Sequence, residues 1–512
     1  MEETRSDSDE GRSRGPNRRT IVFLLVLGLI SLLGLGLRLG VSAQLQDHPS
    51  VAEPSGVTDM ATYRDLGQRL ARGDIPDNFY YQPFYYAVFL PLVYTVSGDS
   101  PWGPLAAQAI LGAAAVWLTG LIAGRLFGRT AGAAAALLLS LSRTHIFYTP
   151  FLLIAVLQSF WVAAWTYAAV RAWQTNRLRL WGITGLVGSA AVLTRGNVIL
   201  LVPGIVVLAV WRNRSRPRYL AAVLAVFLCA VVLPQVPFSW RNTRYHGHLT
   251  GPSSARDVVL ALGNNPEAPP GGLAYPPTYQ FWTGGANGEG ERSVSVPRRI
   301  LDWIRREPLA WFELKLRMAL LFWSPEEIPN NVALEHEGRA SSLLQAPFLF
   351  GFGLIGVLGV AGLITAVRAS LRSPARLFLY YAVGTYWAAT ALFYILARFR
   401  LPLVPLLCVF GGAAVGAGRR LVRDRRRGKG DRRTALFAVL VLAVSVFAVW
   451  GAFPFYQSVL EPVLTRVARP RGVLSRGPES LRVFDHGPVL FGGWPAVEVP
   501  SELIATESPA VM

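Results

Sequence analysis

Long apolar runs separated by short, sharply polar breaks make up most of this chain, and the runs are too long for ordinary soluble helices. A helix needs about 20 apolar residues to cross the hydrocarbon core of a bilayer. Eleven runs approach that length: 21–43, 104–124, 130–143, 146–170, 181–194, 196–211, 218–238, 345–367, 376–396, 402–418 and 434–454. The pattern predicts an all-α polytopic membrane protein with about 11 transmembrane helices. Some runs are short, so 130–170 and 181–211 admit other divisions. The first run follows arginines as a secretion signal would. It is about 20 residues long with no clean small-residue cleavage site behind it, which predicts a retained span.

The polar breaks fall into two kinds. Basic clusters occupy RLFGR (125–129), RAWQTNRLR (171–179), RNRSRPR (212–218), RASLRSPAR (368–376) and RRLVRDRRRGKGDRR (419–433). With the N-terminal tail 1–20 in the cytoplasm, eleven spans put every cluster on the cytoplasmic side, as the positive-inside rule requires. The segments 44–103, 239–344 and 455–512 then lie outside, with short turns near 143–146, 194–196 and 397–401. Composition agrees: of 512 residues 52% are hydrophobic and 16% charged, against about 25% charged in soluble domains. The net charge of +19 sits in those loops rather than in a basic domain, so it implies membrane lipids as neighbours and no nucleic acid.

The outer segments carry helical patterns of their own. Asp59, Tyr63, Leu66 and Leu70 recur at three- and four-residue steps and predict an amphipathic helix over 57–72. The aromatic stretch YYQPFYYAVFLPLVYTVSG (80–98) reads as an interfacial helix broken by Pro83 and Pro91. Another helix is expected over 297–323, followed by the lip-like IPNNVALEHEG, whereas the Gly-, Pro- and Asn-rich 239–293 is expected to lack regular structure. No internal repeat is visible, which weighs against transporters built from repeated halves.

Candidate chemistry collects at the outer boundary. Thr58 or Asp59 begins the first outer helix, where such residues cap free N–H groups, and a carboxylate fixed there is equally well placed to take a proton. Arg195 lies in VLTRGNVILLVPG, Arg398 and Arg400 in ILARFRLPLVPLL, and Arg241 in FSWRNTRYHGHLTG. Boundary arginines snorkel or bind anions. Three of them on the side that the charge rule disfavours suit a phosphate, which the planar guanidinium grips as a fork. Tyr63, Tyr85, His145, Tyr148 and Glu326 are candidates for substrate contact. The two cysteines lie in apolar runs, and six histidines without HxH or HxxxH spacing give no dedicated metal cluster. No cofactor is called for, although a divalent metal stays open.

In order along the chain, TDMATYRDLGQRLARGDIP, QPFYYAVFLPLVYTVSG, GRLFGRTAGAAAALLLSLS, LTRGNVILLVPG, WRNTRYHGHLTG with GNNPEA, and ARFRLPLVPLL resemble the polytopic GT-C glycosyltransferases. The resemblance is to the family 39-like branch of protein O-mannosyltransferases and aminoarabinose transferases. It implies a GT-C-like transferase domain over 21–454, with outer loops 44–103 and 239–344 and an extracytoplasmic tail 455–512. It also implies a bacterial inner-membrane enzyme facing outward. The donor would be a polyprenyl-phosphate-linked sugar and the acceptor a hydroxyl of a lipid, glycan or protein. The family's first-loop acid, the proposed general base, maps onto Asp59, and the donor phosphate would meet Arg195, Arg398, Arg400 and Arg241. Two positions depart from relatives: Met60 follows Asp59 where some carry a second acid, and Gln158 stands where many have Glu. A lipid or amphiphile flippase would share the spans and boundary arginines, but it would want ionisable groups near the midplane. An inactive scaffold would tolerate replacement of Asp59.

Overall fold

In a computed structural model, residues 17–275, 295–429 and 431–468 are described, and every extended regular element among them is helical. Seven helices are long and apolar enough to cross a bilayer: α1 (Arg18–Leu45), α4 (Trp102–Phe127), α8 (Gly196–Asn213), α9 (Pro217–His246), α13 (Phe352–Ser370), α15 (Ala397–Arg426) and α16 (Arg432–Leu464). The protein is an all-α polytopic membrane protein. Four of the eleven expected runs lie in helices that are shorter or less apolar than these seven. Run 130–143 becomes the short α5 (Arg129–Ser140), and 181–194 lies in α7 (Leu178–Thr194). Runs 146–170 and 376–396 lie in α6 (Ile154–Thr175) and α14 (Pro374–Ala391). Gln158, Ser159 and Arg171 dilute the apolar character of α6, as Arg376 and three tyrosines dilute that of α14.

The bundle is built around α15, 78% of whose most apolar window is buried, whereas α1 buries 11% and α9 17%. Helices that display so much apolar surface are stable only with hydrocarbon around them. α15 packs against α13 on one side and against α5 and α4 on the other. Both contacts are made backbone to backbone: Gly362 of α13 lies against the Phe410 carbonyl, and Gly412 of α15 against the Ala131 carbonyl. A methyl group at either glycine would collide with backbone, which cannot yield as a side chain does.

At one end the segments expected outside form a cap. α2 (Asp59–Ala71) and α3 (Phe84–Ser97) pack together, with the Tyr63 ring in contact with those of Tyr85 and Tyr86. The segment 239–293, expected to be irregular, contributes the end of α9 and a further helix, α10 (Arg256–Gly263), in its described part. The helix expected at 297–323 is two, α11 (Val296–Arg306) and α12 (Pro308–Leu321). Pro308 pushes Glu307 out of helical geometry, to φ −134° and ψ 62°. The expected turn at 397–401 is instead the first turn of α15, and α16 continues past the expected boundary at 454 to Leu464.

Candidate active site at the polar end of the bundle

The first turn of α2 assigns two neighbouring residues two different tasks. Thr58 has extended dihedrals, and its hydroxyl accepts from the Ala61 N–H at 3.4 Å, so Thr58 is the cap. Asp59 is the first helical residue, and its carboxylate faces away from its own helix. Its Oδ2 accepts from Arg398 Nη2 at 2.7 Å and from Asn331 Nδ2 at 3.0 Å. Asn331 sits in the left-handed region at φ 65°, a conformation Asn tolerates better than most residues. Met60, which stands in the place of a second acid, is fully buried.

Arg398 is placed by the segment 239–344 more than by its own helix. The non-helical stretch 392–396 ahead of α15, with the Ala397 N–H, is held from both sides. Asn264 Nδ2 donates to the Leu392 carbonyl at 2.8 Å, and Gly272 N–H to the Ile395 carbonyl at 3.0 Å. On the other side the Ala397 N–H donates to the Ile328 carbonyl at 3.0 Å. Buried Lys315 adds a staple, its ammonium reaching the Gly263 carbonyl at 2.7 Å and that of Leu392 at 3.0 Å. Arg398 Nη2 also donates to Asn330 Oδ1 at 2.6 Å, so the neighbouring asparagines 330 and 331 hold the two halves of the Asp59–Arg398 pair.

Arg195 follows α7 with an extended backbone, and its guanidinium lies 3.6 Å from the centre of the Phe399 ring. Stacking fixes the plane of the cation and leaves its N–H edge available. It makes no hydrogen bond or ion pair with a described residue. Asp59 balances Arg398 and Glu327 balances Arg400, so the uncompensated charge of this group rests on Arg195. Tyr394 registers the whole cluster: burial raises its phenol pKa, Arg398 and Arg195 draw it down, and Asp59 raises it. Burial likewise raises Tyr63 and Tyr81, with Asp59 acting next in the same direction. These phenols therefore stay protonated and able to donate at neutral pH.

Arg400, by contrast, turns both Nη groups to the protein. It is 1% exposed, with Nη2 on Glu327 Oε2 at 3.2 Å and the two Nη groups also donating to the carbonyls of Phe322, Ser324 and Glu326. Glu327 also accepts from Thr144 Oγ1 at 2.7 Å. The adjacent Glu326 is exposed and gives Arg400 only its backbone carbonyl. Arg241 braces the chain after α2, donating to the carbonyls of Pro76 at 2.6 Å and Ile75 at 3.2 Å.

Three aromatic or imidazole candidates lie inside the bundle rather than at its surface. The Tyr85 hydroxyl donates to Gln108 Oε1 at 3.1 Å. His145 is fully buried, between Arg38 Nη2 at 3.0 Å and Ser159 Oγ at 2.9 Å. Tyr148 is 2% exposed. Gln158 is also wholly buried. The site residues that sequence reading missed are Asn330, Asn331, Phe399 and Tyr394. The Asn-Asn pair after Pro329 was the one local signal, since such a doublet favours a tight turn.

These elements define a polytopic helical membrane protein with a charged, aromatic-lined site at one end of its bundle. Within it, residues 81–236 match the sequence model of the family described as dolichyl-phosphate-mannose-protein mannosyltransferase. The resemblance to GT-C glycosyltransferases is supported by that match, which includes Arg195 but not Asp59 or Arg398. No curated protein matches the chain by sequence. Among solved structures it is similar to the apo oligosaccharyltransferase of Archaeoglobus fulgidus, at a TM-score of 0.47 and 14% identity over 87% of this chain and 56% of that one. It is also similar to AglB from the same organism, in complex with an inhibitory peptide and a dolichol-phosphate, at 0.46 and 15% over 86% and 56%. A third is ArnT from Cupriavidus metallidurans bound to undecaprenyl phosphate, at 0.41 and 15% over 88% and 74%. The chain thus spans just over half the length of the first two.

Proposed function

We propose that this protein is a membrane glycosyltransferase that moves a sugar from a polyprenyl monophosphate to a hydroxyl on a lipid, glycan or protein. We place the reaction on the extracytoplasmic face of a bacterial inner membrane. The observation that carries this reading is the Asp59 carboxylate, held by Arg398 and Asn331, in the same cluster as the unpaired, ring-stacked Arg195. The matched family, whose description names a dolichyl-phosphate sugar, supports the donor class.

The chemistry follows from the charges. Asp59 takes the proton of the acceptor hydroxyl as its oxygen attacks the anomeric carbon. The bond from that carbon to the phosphate oxygen breaks, and its electron pair leaves on the polyprenyl phosphate, a single displacement that inverts the centre. Arg195 meets the phosphate as its second negative charge develops. Arg398 stands between the two roles. In the resting pair at 2.7 Å the Asp59 oxygen is engaged by the guanidinium, and a phosphate bound to Arg195 competes for Arg398, freeing that oxygen when the donor is in place. Arg400 supports the outer loop from behind and makes no contact with the donor in this reading.

The test is release of free polyprenyl phosphate by the purified protein offered a panel of polyprenyl-phosphate sugars with hydroxyl acceptors. Transfer by the wild type that falls about 10²- to 10⁴-fold in Asp59→Asn is the expected outcome. Lipid translocation without any sugar transfer, across the panel, would overturn the reading in favour of a flippase.

A further inference from the structure

The far end of α15 carries a second cluster that the proposed reaction does not use. Arg398 and Arg419 are 21 residues apart on this helix, roughly 30 Å at the α-helical rise, which is the thickness of a bilayer's hydrocarbon core. There Arg419, Arg420 and Arg423 meet Arg129 and Thr130 of α5 around a cavity of about 410 Å3. That volume falls within the range of small-ligand sites.

Among the described residues no acid lines this cavity. Arg129 donates to the neutral Thr20 hydroxyl at 3.0 Å, and Arg420 folds back toward Gly416. Among the described residues the ion pair at this cluster is Arg423 with its own neighbour Asp424, at 3.5 Å and on the exposed side. Orientation in the membrane asks only that arginines be on one side of it, and the four arginines at this end are all exposed. Here four of them, from two separate elements, converge on one concavity and raise its potential together. The start of α5 adds to this, because Gly128, at φ 98°, provides no side-chain cap for the first N–H groups.

We propose that this cavity binds a phosphate group at the membrane face opposite the candidate active site. The ligand is either an anionic lipid headgroup, which lies at this depth, or a soluble phosphate compound. The guanidinium forks of Arg419 and Arg420 grip the phosphate oxygens, with Arg129 closing from α5. The inference is independent of the glycosyltransferase reading.

Two probes on the full chain in detergent test it and separate the sources. Inorganic pyrophosphate is titrated by calorimetry, and retention of dioctanoyl phosphatidic acid is read by native mass spectrometry. At least one probe binds the wild type, and R419Q/R420Q weakens it about tenfold or more, as expected for loss of charge-assisted hydrogen bonds. R425Q/R426Q removes the same charge from the same helix beyond the cavity and leaves affinity unchanged. Should the first variant fold poorly, Thr130→Glu sets a carboxylate among the arginines and gives the same loss. Pyrophosphate binding marks a soluble ligand, and phosphatidic acid binding without it marks a lipid. Failure of both probes, or equal weakening by the two double variants, overturns the proposal.

Discussion

Exchanging Asp59 for asparagine keeps the side chain's shape and removes its charge, and the structure allows the consequence to be worked out. The carboxylate has two donors, Arg398 at 2.7 Å and Asn331 at 3.0 Å, and the side chains of Asp59 and Arg398 are 27% and 9% exposed. Two unit charges at that separation attract by about 6 kcal/mol gross at an effective dielectric of about 20. Most of this is offset by the cost of desolvating the pair. Removing one partner of a buried pair nevertheless costs about 3–5 kcal/mol, because a bare charge stays behind. Asp59 is partly exposed and Arg398 keeps its bond to Asn330 at 2.6 Å, so we expect about 2 kcal/mol, below that range. Asp59→Asn therefore loses both turnover and some stability. A double-mutant cycle with Arg398→Gln, read by thermal unfolding in detergent and by polyprenyl phosphate release, separates the two effects. The pair predicts a coupling energy of about 1–3 kcal/mol in stability. Additive stability losses would refute the ion pair, and wild-type turnover by a folded Asp59→Asn protein would refute the base.

Arg195→Ala should raise the donor KM about 10- to 100-fold through loss of a charged phosphate contact, with Arg195→Lys recovering part of the affinity; unchanged KM in the alanine variant removes Arg195 from the phosphate site. Arg241→Ala should lower thermal stability with donor affinity intact, and a selective loss of affinity would give Arg241 the role denied it here. Asn331→Ala loses a hydrogen bond and leaves a strained left-handed backbone, about 1–2 kcal/mol together, whereas Asn331→Gly should restore the backbone part; identical stabilities would exclude the strain. Burial moves Lys315 from 10.5 down to about 7. Between those values the unfolded chain holds a proton that the folded chain has shed, so stability rises with pH across that window and is lowest below pH 7. Lys315→Met should flatten this rise in a denaturation series, and an unaltered pH profile would show that Lys315 is not its source.

The apolar pattern predicted the helices well because hydrophobic length is a local property, and it placed Asp59 and the boundary arginines at helix ends for the same reason. What it could not supply was partnership. Thr58 and Asp59 are both good cap residues, and only the direction of each side chain tells that the threonine caps and the acid reaches across. Glu326 and Glu327 are equivalent in sequence, yet one is exposed and the other closes on Arg400. Asp59 meets Asn331 across 272 residues of chain, a distance over which no periodicity carries information. His145 and Tyr85 stand at polar breaks but turn inward, because the bundle offers each a hydrogen-bond partner there. The apolar pattern is weakest where polar and aromatic residues dilute a helix that is nevertheless well buried, as in α6 and α14.

The glycine contacts that seat α15 have a mechanical consequence. Gly362 and Gly412 press backbone against backbone on opposite flanks of the helix, so it has little freedom to slide or roll relative to α13 and α5. A rod gripped in this way transmits displacement along its length instead of absorbing it. Widening either contact by a single methyl group should shift the register of Arg398 at one end and of Arg419 at the other. Measurements made on one membrane face would then act as a strain gauge for the opposite face.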